Sequence, residues 1–280
     1  MGQGASAGAN PVTRRRFVQL AGIAGGALAL AACGSSHPSG PTTPPTSVSA
    51  WLGHRPLYVA HRGGDGDWPE CSADAYRHAA AWNPDLALEV PVWVTADGVW
   101  VVSDAASTQP VFGAPHDIRA TAWSTLATLR STTGARPMAR LVEDVLEPYG
   151  GRRILFVDNK SDTDPSALLD LLARYGGPRR IVMKSYWQNA TTPAAARRAG
   201  YVTWGYYYAQ NMDDFAATQS RYDLLGLTYT APRSDFQTMR ATGKVVIAHV
   251  IPTEAAARQA LGKGAGGLMV SGVTQVVPRG

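Results

Sequence analysis

Cysteine is scarce in this sequence, with only Cys33 and Cys71 among 280 residues. Two thiols cannot build a disulfide framework, nor a zinc site that consists of several thiolates. Net charge is also small: the formal value is +5, and three of those charges are Arg14, Arg15 and Arg16 near the start of the chain. No basic run interleaved with aromatic residues is present. We therefore expect no nucleic-acid partner.

The chain also lacks an apolar run long enough for a comfortable membrane span. Residues 20–32 form a short apolar run after Thr-Arg-Arg-Arg-Phe-Val-Gln, which is typical of a twin-arginine export signal. The run ends in Leu-Ala-Ala-Cys, the pattern of a bacterial lipoprotein cleavage site, and this predicts that Cys33 becomes a lipidated N-terminus. The alternative is an ordinary signal peptide with an incidental cysteine. The lipoprotein hypothesis implies export by the twin-arginine route and a lipid anchor at the extracytoplasmic face of the cell membrane.

Composition divides the chain into three parts. Residues 1–33 are predicted to be the signal peptide. Residues 34–52 are rich in Ser, Pro and Thr and are predicted to be a disordered linker between the lipid and the folded domain. Residues 53–280 are left for that domain. If Cys33 carries lipid, Cys71 has no partner for an intrachain disulfide.

Short β-type runs alternate with Ala-rich helical segments throughout the folded part. The predicted strands cover residues 57–61, 86–92, 154–158, 180–184, 201–206, 224–228, 245–250 and 267–270. Eight strands that alternate with helices favour an α/β architecture, a (β/α)8 TIM barrel. Residues 99–102 follow an Asp-Gly turn and are predicted to form a hairpin with the second strand. Residues 105–137 are predicted to be an insertion at the active face.

Polar side chains gather where four predicted strands end. They are His61, Arg62, Glu89, Asp158, Lys160, Lys184 and Ser185. Function in such a barrel lies at the carboxyl ends of the strands, so these side chains are expected to converge. Carboxylates beside imidazole, guanidinium and ammonium groups suit a divalent cation and a phosphate ester. Oxygen ligands favour Mg²⁺ or Ca²⁺ over zinc.

The order of short motifs along the chain resembles that of a known enzyme family. The motifs are Ala-His-Arg-Gly at 60–63, Pro-Glu at 69–70, Glu89, Thr-Ala-Asp-Gly-Val-Trp-Val-Val at 95–102, Phe-Val-Asp-Asn-Lys at 156–160 and Gly-Ala-Gly-Gly-Leu-Met-Val at 264–270. They are similar to those of the glycerophosphodiester phosphodiesterases, phospholipase-C-like phosphodiesterases that share a TIM barrel. The resemblance implies a hydrolase of lipid metabolism whose small-molecule substrate is a glycerophosphodiester or a related phospholipid headgroup.

The resemblance also implies roles for single residues. A family site uses two histidines and one divalent cation. His61 matches the first catalytic histidine and Arg62 the phosphate-binding arginine. Glu89 matches the first metal ligand, and Asp158 stands where the family has a glutamate ligand. Lys160 and Glu70 match residues that bind the substrate, and Glu70 stands in the turn that supports the site.

Two positions depart from the family pattern. Pro91 stands where a second carboxylate ligand is expected, and Ser103 where the second catalytic histidine is expected, although Asp104 is kept. A serine hydroxyl cannot shuttle protons near pH 7. A carboxylate from Asp65 or Asp67, or the imidazole of His116, could compensate. The divalent cation is therefore either weakly held or lost.

Several alternatives stay open at this point. Asp158 and Lys160 could form a plain structural ion pair, and Glu89 could pair with Arg62 instead of binding metal. The aromatic run at residues 204–208 is interpreted as the packed end of a strand, although it lies at the active face, where a hydrophobic or sugar-like substrate group could rest on it. For function, the two hypotheses are a phosphoric diester hydrolase at the cell envelope and a lipoprotein that binds phosphate esters or lipid headgroups without turnover.

Overall fold

The structure is a computed structural model that describes residues 44–161 and 164–280. The predicted export signal, the lipidation site Cys33 and linker residues 34–43 lie outside the described residues. Within the two described ranges, no helix is both long enough and apolar enough to cross a membrane.

A closed sheet forms the centre of the fold. Its strands are β1 (Leu57–Ala60), β2 (Ala87–Val94), β3 (Trp100–Val102), β4 (Leu155–Asn159), β5 (Ile181–Tyr186), β6 (Val202–Tyr207), β7 (Leu224–Thr228), β8 (Val246–Ile251) and β9 (Gly267–Val270). All except β3 pair in parallel, and β1 pairs with both β2 and β9, which closes the barrel. β3 runs antiparallel to the end of β2, with Val102 opposite Val92. The predicted TIM barrel and its hairpin are confirmed.

Helices surround the barrel. They are α1 (Val48–Trp51), α2 (Ala73–Trp82), α3 (Gln109–Phe112), α4 (Trp123–Leu126), α5 (Ser166–Ala173), α6 (Gly177–Arg180), α7 (Thr191–Arg198), α8 (Phe215–Thr218), α9 (Arg233–Arg240), α10 (Glu254–Lys263) and α11 (Val273–Val276). A π-helix spans Val142–Gly150, and short 3₁₀ helices cover His61–Gly63, Ile118–Ala120, Ala209–Asp214 and Gln219–Arg221. α2 and α10 begin after Ser72 and Thr253, whose side chains accept hydrogen bonds from backbone N–H groups of the first turn.

Alternation along the strands separates two cores. One set of side chains faces the helices, and the other fills the barrel interior with residues such as Val59, Phe156, Val182, Ile247 and Met269. Because side chains alternate along a strand, the next inward position on each of these strands lies nearer its carboxyl end. Those positions hold His61, Asp158, Lys184, His249 and Ser271, and Glu89 of β2 joins them. The polar layer of the barrel thus follows directly from the strand pattern.

The barrel is closed at its opposite end by α1. Trp51 is 1% exposed, its ring centroid lies 5.4 Å from that of Phe156, and its Nε1 donates to the carbonyl oxygen of Asp85 at 2.9 Å. Val48 is also buried in the interior core. Residues 48–51, which composition assigns to the linker, therefore pack against the bottom of the barrel through Val48 and Trp51.

The predicted insertion forms a small lobe beside β3. A separate hydrophobic cluster unites Val101 of β3 with Ile118, Leu126 and Met138. An isolated antiparallel bridge joins Ser107 to Asp117. The lobe lies at the carboxyl ends of the strands, so it forms one wall beside the polar layer.

Candidate functional site

A sharp turn follows β1 and positions the first two site residues. Arg62, Gly63 and Gly64 all adopt positive φ values, of 48°, 84° and 98°. A Cβ at Gly63 would lie 2.9 Å from the Cβ of Ala75, so glycine is required there on space as well as on conformation. The turn directs the backbone N–H of Arg62 at Oε2 of Glu89, at 2.6 Å. The His-Arg-Gly-Gly motif is thereby fixed to β2.

The His61 imidazole is held by Asp65. Nδ1 of His61 lies 3.0 Å from both carboxylate oxygens of Asp65. A carboxylate can only accept, so this contact places the proton on Nδ1 and leaves the Nε2 lone pair free. Asp65 thus contacts the histidine, and the other loop carboxylate, Asp67, bonds to Thr274. Neither takes the ligand position considered for it from the sequence.

Arg62 is clamped by two carboxylates. Nη1 lies 2.5 Å from Glu70 and Nη2 lies 2.5 Å from Asp104. Burial acts to lower the pKa of Arg62, but the charges of Asp104 and Glu70 outweigh it and raise that pKa. Asp104 also lies 3.0 Å from Nζ of Lys160. One carboxylate therefore sets the spacing between the two cationic side chains that were predicted to meet phosphate.

The ammonium group of Lys184 lies between Glu89 and Asp158. Nζ is 2.8 Å from Oε1 of Glu89 and 2.9 Å from Oδ2 of Asp158. Nζ of Lys160 approaches the same oxygen of Asp158 at 3.1 Å. Burial acts to raise the pKa of Asp158, but the charges of Lys160 and Lys184 lower it. Burial acts to lower the pKa of Lys184, and the charges of Asp158 and Glu89 raise it. Asp158, Lys160 and Lys184 therefore stay ionised in this buried network.

Of the two ion pairs that the sequence left as alternatives, one is present, and the other is replaced by a backbone hydrogen bond. The contact between Asp158 and Lys160 is present. Glu89 does contact Arg62, but through the backbone N–H, whereas its ion pair is with Lys184. In the sequence, Lys184 directly follows the apolar run Ile-Val-Met of β5, and that position indicates a buried lysine but does not identify its partner.

The residues present do not fit the predicted divalent cation. In the described part of the chain, no cluster of three His, Cys, Asp or Glu side chains is arranged to hold a metal ion. Pro91, which pairs in register with Asp158, offers no side-chain ligand. The two predicted ligands, Glu89 and Asp158, both contact the Lys184 ammonium. A cation there would have to displace a buried lysine from both of its partners.

A second imidazole, His249 of β8, faces the same opening. It lines a small cavity of about 80 Å³ together with His61, Arg62, Lys160 and Lys184, here called the mouth cavity. Its Nε2 lies 3.0 Å from the carbonyl oxygen of Tyr207. Burial and the charge of Lys184 lower the pKa of His249 to about 3. It is therefore neutral near pH 7. The inward alternation of β8 is the sequence signal that could have placed it here.

Aromatic rings form one wall of the mouth cavity. Tyr206 lies under the Lys184 ammonium, with Nζ 4.6 Å from the ring centroid. Burial raises the pKa of Tyr206 to about 12. Tyr208 follows at the rim and is 40% exposed. Alternate residues of the aromatic run thus face the cavity, while Tyr207 packs outward. The run is both a packed strand end and part of the site wall.

A larger cavity of about 490 Å³, here called the side cavity, adjoins the mouth cavity through Asp104, which lines both. Its lining includes Trp68, Glu70, Ser103, Phe112 and Arg136. Ser103 donates its hydroxyl to the carbonyl oxygen of Ala105 at 2.8 Å. His116 is not among the residues that line either cavity. Its imidazole therefore does not replace the missing second histidine.

Comparison with known families adds one match. Residues 61–156 match the model of the glycerophosphoryl diester phosphodiesterase family. This stretch contains His61, Arg62, Glu70 and Glu89, and it ends within β4. The comparison with curated proteins found no match. The family resemblance drawn from the motifs is confirmed over this stretch.

Several solved structures are similar to this chain at low sequence identity. A glycerophosphodiester phosphodiesterase from Thermotoga maritima is 18% identical, with a TM-score of 0.63, over 79% of this chain and 96% of that one. A phosphodiesterase from Oleispira antarctica, in complex with the product sn-glycerol-3-phosphate, is 16% identical, with a TM-score of 0.65, over 79% and 95%. A glycerophosphoryl diester phosphodiesterase from Parabacteroides distasonis is 14% identical, with a TM-score of 0.64, over 82% and 90%. At these identities, the likeness establishes the fold.

Proposed function

Because residues 61–156 carry a domain of the glycerophosphoryl diester phosphodiesterase family, we propose that the protein is a phosphoric diester hydrolase. Its substrates would be glycerophosphodiesters or related phospholipid headgroups. One observation carries the proposal: His61, whose Nδ1 contacts Asp65, lines the same mouth cavity as Arg62 and Lys160. A base oriented by a carboxylate, next to two cations spaced by Asp104, suits attack on a phosphodiester.

The roles of the residues follow from these contacts. Arg62 and Lys160 bind the phosphate and offset the negative charge that grows on its oxygens. Nε2 of His61 removes the proton from the attacking oxygen, a hydroxyl next to the ester or a water molecule. A new O–P bond forms while the O–P bond to the leaving group breaks, and the leaving oxygen takes its proton from solvent. The product complex of the Oleispira antarctica phosphodiesterase supports a small-molecule phosphate ester as the ligand of this fold.

The side cavity suits the alcohol part of the substrate. It opens beside Asp104 and combines polar groups with the apolar surfaces of Trp68 and Phe112. A cavity of about 490 Å³ is large enough for a small headgroup. The insertion that forms its wall would then contribute to the choice of headgroup.

The second candidate function is binding without turnover. It is favoured by Ser103, which leaves His61 without a charged imidazole partner near pH 7. In this alternative, Arg62 and Lys160 hold a phosphate ester or lipid headgroup and the leaving group is never protonated.

Hydrolysis assays on the purified chain separate the two. Glycerophosphocholine and bis(p-nitrophenyl) phosphate are each incubated with wild type, with His61→Ala and with His54→Ala, an exposed control between α1 and β1 that lines neither cavity. Hydrolysis that persists in His54→Ala and disappears in His61→Ala supports the enzyme. If neither compound is hydrolysed while sn-glycerol 3-phosphate still raises the melting temperature, the enzyme proposal fails and the binding function stands.

For location, we propose that Cys33 carries lipid and anchors the mature chain at the extracytoplasmic face of the cell membrane. The support is the order of twin arginine motif, apolar run and Leu-Ala-Ala-Cys in the sequence. Metabolic labelling with a fatty acid, followed by cell fractionation, should label the wild type and find it in the membrane fraction. The same experiment on Cys33→Ala should give an unlabelled protein, and a labelled variant would contradict the proposal.

A further inference from the structure

Lys184 is the buried cation around which the polar layer is built. Its side chain is 6% exposed, and those of Glu89 and Asp158 are 0% and 3% exposed. Both carboxylates approach the same Nζ within 2.9 Å. Removing one member of such a buried pair is costly because the remaining charge loses its partner. The ammonium position is therefore fixed by the fold.

The carboxylate oxygens near Lys184 have further partners, and one face of the ammonium group is covered by an aromatic ring. Oε2 of Glu89 accepts the backbone N–H of Arg62, and Oδ2 of Asp158 also meets Lys160. The ring of Tyr206 covers the ammonium at 4.6 Å. An ammonium carries three N–H donors. Nζ donates one of them to Oε1 of Glu89, while Asp158 meets the ammonium as an ion pair at 2.9 Å. Since Lys184 lines the mouth cavity, a further N–H can reach a ligand oxygen there.

An ammonium at Lys184 in place of a divalent cation, and the lack of a carboxylate at Pro91, have opposite effects on the net charge of the polar layer. A site with three carboxylates around one divalent cation would carry a net charge of −1. Here Pro91 supplies no carboxylate, and two carboxylates around one ammonium also carry −1. Loss of one acidic ligand and exchange of a divalent cation for a lysine thus leave the charge of this layer unchanged.

We propose that the Lys184 ammonium takes the place of a divalent cation, so that this site binds phosphate esters without metal. Lys184 donates to a phosphate oxygen from inside the barrel, while Arg62 and Lys160 hold the same group from the rim. The proposal rests on the proposed function for the identity of the ligand, a phosphate ester, but not on turnover.

Binding measurements on the wild type test the proposal directly. Mn²⁺ titration, followed by electron paramagnetic resonance, should show no binding that depends on Glu89. The rise in melting temperature caused by sn-glycerol 3-phosphate should be the same with chelator and with added Mg²⁺ or Ca²⁺. Stoichiometric Mn²⁺ binding that is lost in Glu89→Gln would overturn the proposal. So would a ligand-induced shift that is absent or that requires the metal.

Two variants test the position itself. Pro91→Asp with Lys184→Ser restores three carboxylates and removes the ammonium, and it should gain Mn²⁺ binding in a 1:1 ratio. Lys184→Met with Glu89→Gln keeps the charge balanced, and its affinity for sn-glycerol 3-phosphate should fall at least tenfold, in line with loss of a charge-assisted hydrogen bond. Unchanged affinity in that folded variant would contradict the proposal.

The outcomes distinguish this proposal from the hydrolase proposal. Chelator-resistant ligand binding without hydrolysis contradicts only the hydrolase. Hydrolysis that stops with chelator and returns with Ca²⁺ contradicts only the role of Lys184. If the variants at Lys184 do not fold, the wild-type Mn²⁺ and chelator measurements still decide.

Discussion

Nδ1 of His61 lies 3.0 Å from both carboxylate oxygens of Asp65, four residues further along the chain. The contact exists because the positive-φ turn at residues 62–64 folds the loop back over the end of β1. The side chain of His61 is 11% exposed and that of Asp65 is 20% exposed, so the pair is only partly screened by water. An imidazole held this way presents one defined nitrogen to the mouth cavity.

Asp65→Asn should lower kcat while KM stays close to the wild-type value. The amide no longer enforces the proton on Nδ1, whereas Arg62 and Lys160 still bind the phosphate. A positioned base contributes about 10²–10⁴-fold, and we expect loss of about 10²-fold in kcat. Asp67→Asn, whose wild-type carboxylate bonds to Thr274, is the matched control and should keep its kcat. Steady-state kinetics on a chromogenic phosphodiester measure both, and full activity of Asp65→Asn would show that Asp65 does not orient His61.

Turnover should depend steeply on the leaving group. His249 is neutral near pH 7 and Ser103 is a weak acid, so neither protonates a departing alkoxide readily. A p-nitrophenolate ester, which needs no proton, should be cleaved much faster than glycerophosphocholine.

Ser103→His tests the same explanation by adding an acid–base group to the site. Ser103 lines the side cavity next to Asp104, so an imidazole there would face the alcohol part of the substrate. Hydrolysis of glycerophosphocholine should rise by about 10²-fold, the lower end of what an acid–base group contributes, while the p-nitrophenyl ester changes little. Equal effects on the two esters would contradict the missing-acid explanation.

The barrel could be predicted from the sequence because each strand has a recognisable pattern in its own few residues. Apolar β-type runs and the intervening helical segments are short-range patterns, and all eight predicted strands are present. The start of the domain could not be placed in the same way. Trp51 lies in a stretch whose composition is typical of a linker, and its burial depends on Phe156, far along the chain.

The residues of the site also fall into two groups, those that a local motif predicts and those that depend on contacts between distant parts of the chain. His61, Arg62 and Glu89 carry a recognisable spacing, so their convergence followed from motif and topology. The place of Lys184 between Glu89 and Asp158 depends on contacts between three separate strands, which no local pattern encodes. Asp65 could be noticed as a loop carboxylate, but its contact with His61 depends on the left-handed turn.

The folded protein should become less stable as pH falls, over a pH range that is set by the pKa of His249. Its pKa in the folded protein is about 3, below the ordinary value of 6.5, because of burial and the nearby charge of Lys184. As pH falls below 6.5, the unfolded chain takes up this proton while the folded protein does not, so stability is lost progressively towards pH 3. Between pH 7 and pH 5 this amounts to about 2 kcal/mol.

Urea unfolding of the wild type and of His249→Gln at the two pH values checks that loss. Glutamine can donate to the Tyr207 carbonyl but does not titrate, so the variant should lose about 2 kcal/mol less than the wild type between pH 7 and pH 5. Identical pH dependence in His249→Gln would mean that His249 is readily protonated in the folded protein.

Trp51 tests where the folded domain begins. The indole is 1% exposed, packs edge-on against Phe156 and donates to Asp85. Trp51→Ala should cost about 3–5 kcal/mol in the free energy of unfolding, because it leaves a cavity in the barrel bottom. Trp51→Phe retains most of the packing and should cost about 1 kcal/mol for the lost hydrogen bond. A chain that starts at residue 53 should be destabilised at least as much as Trp51→Ala, whereas one that starts at residue 44 should match the full mature protein. If the chain from residue 53 unfolds at the same urea concentration as the longer one, α1 does not close the barrel.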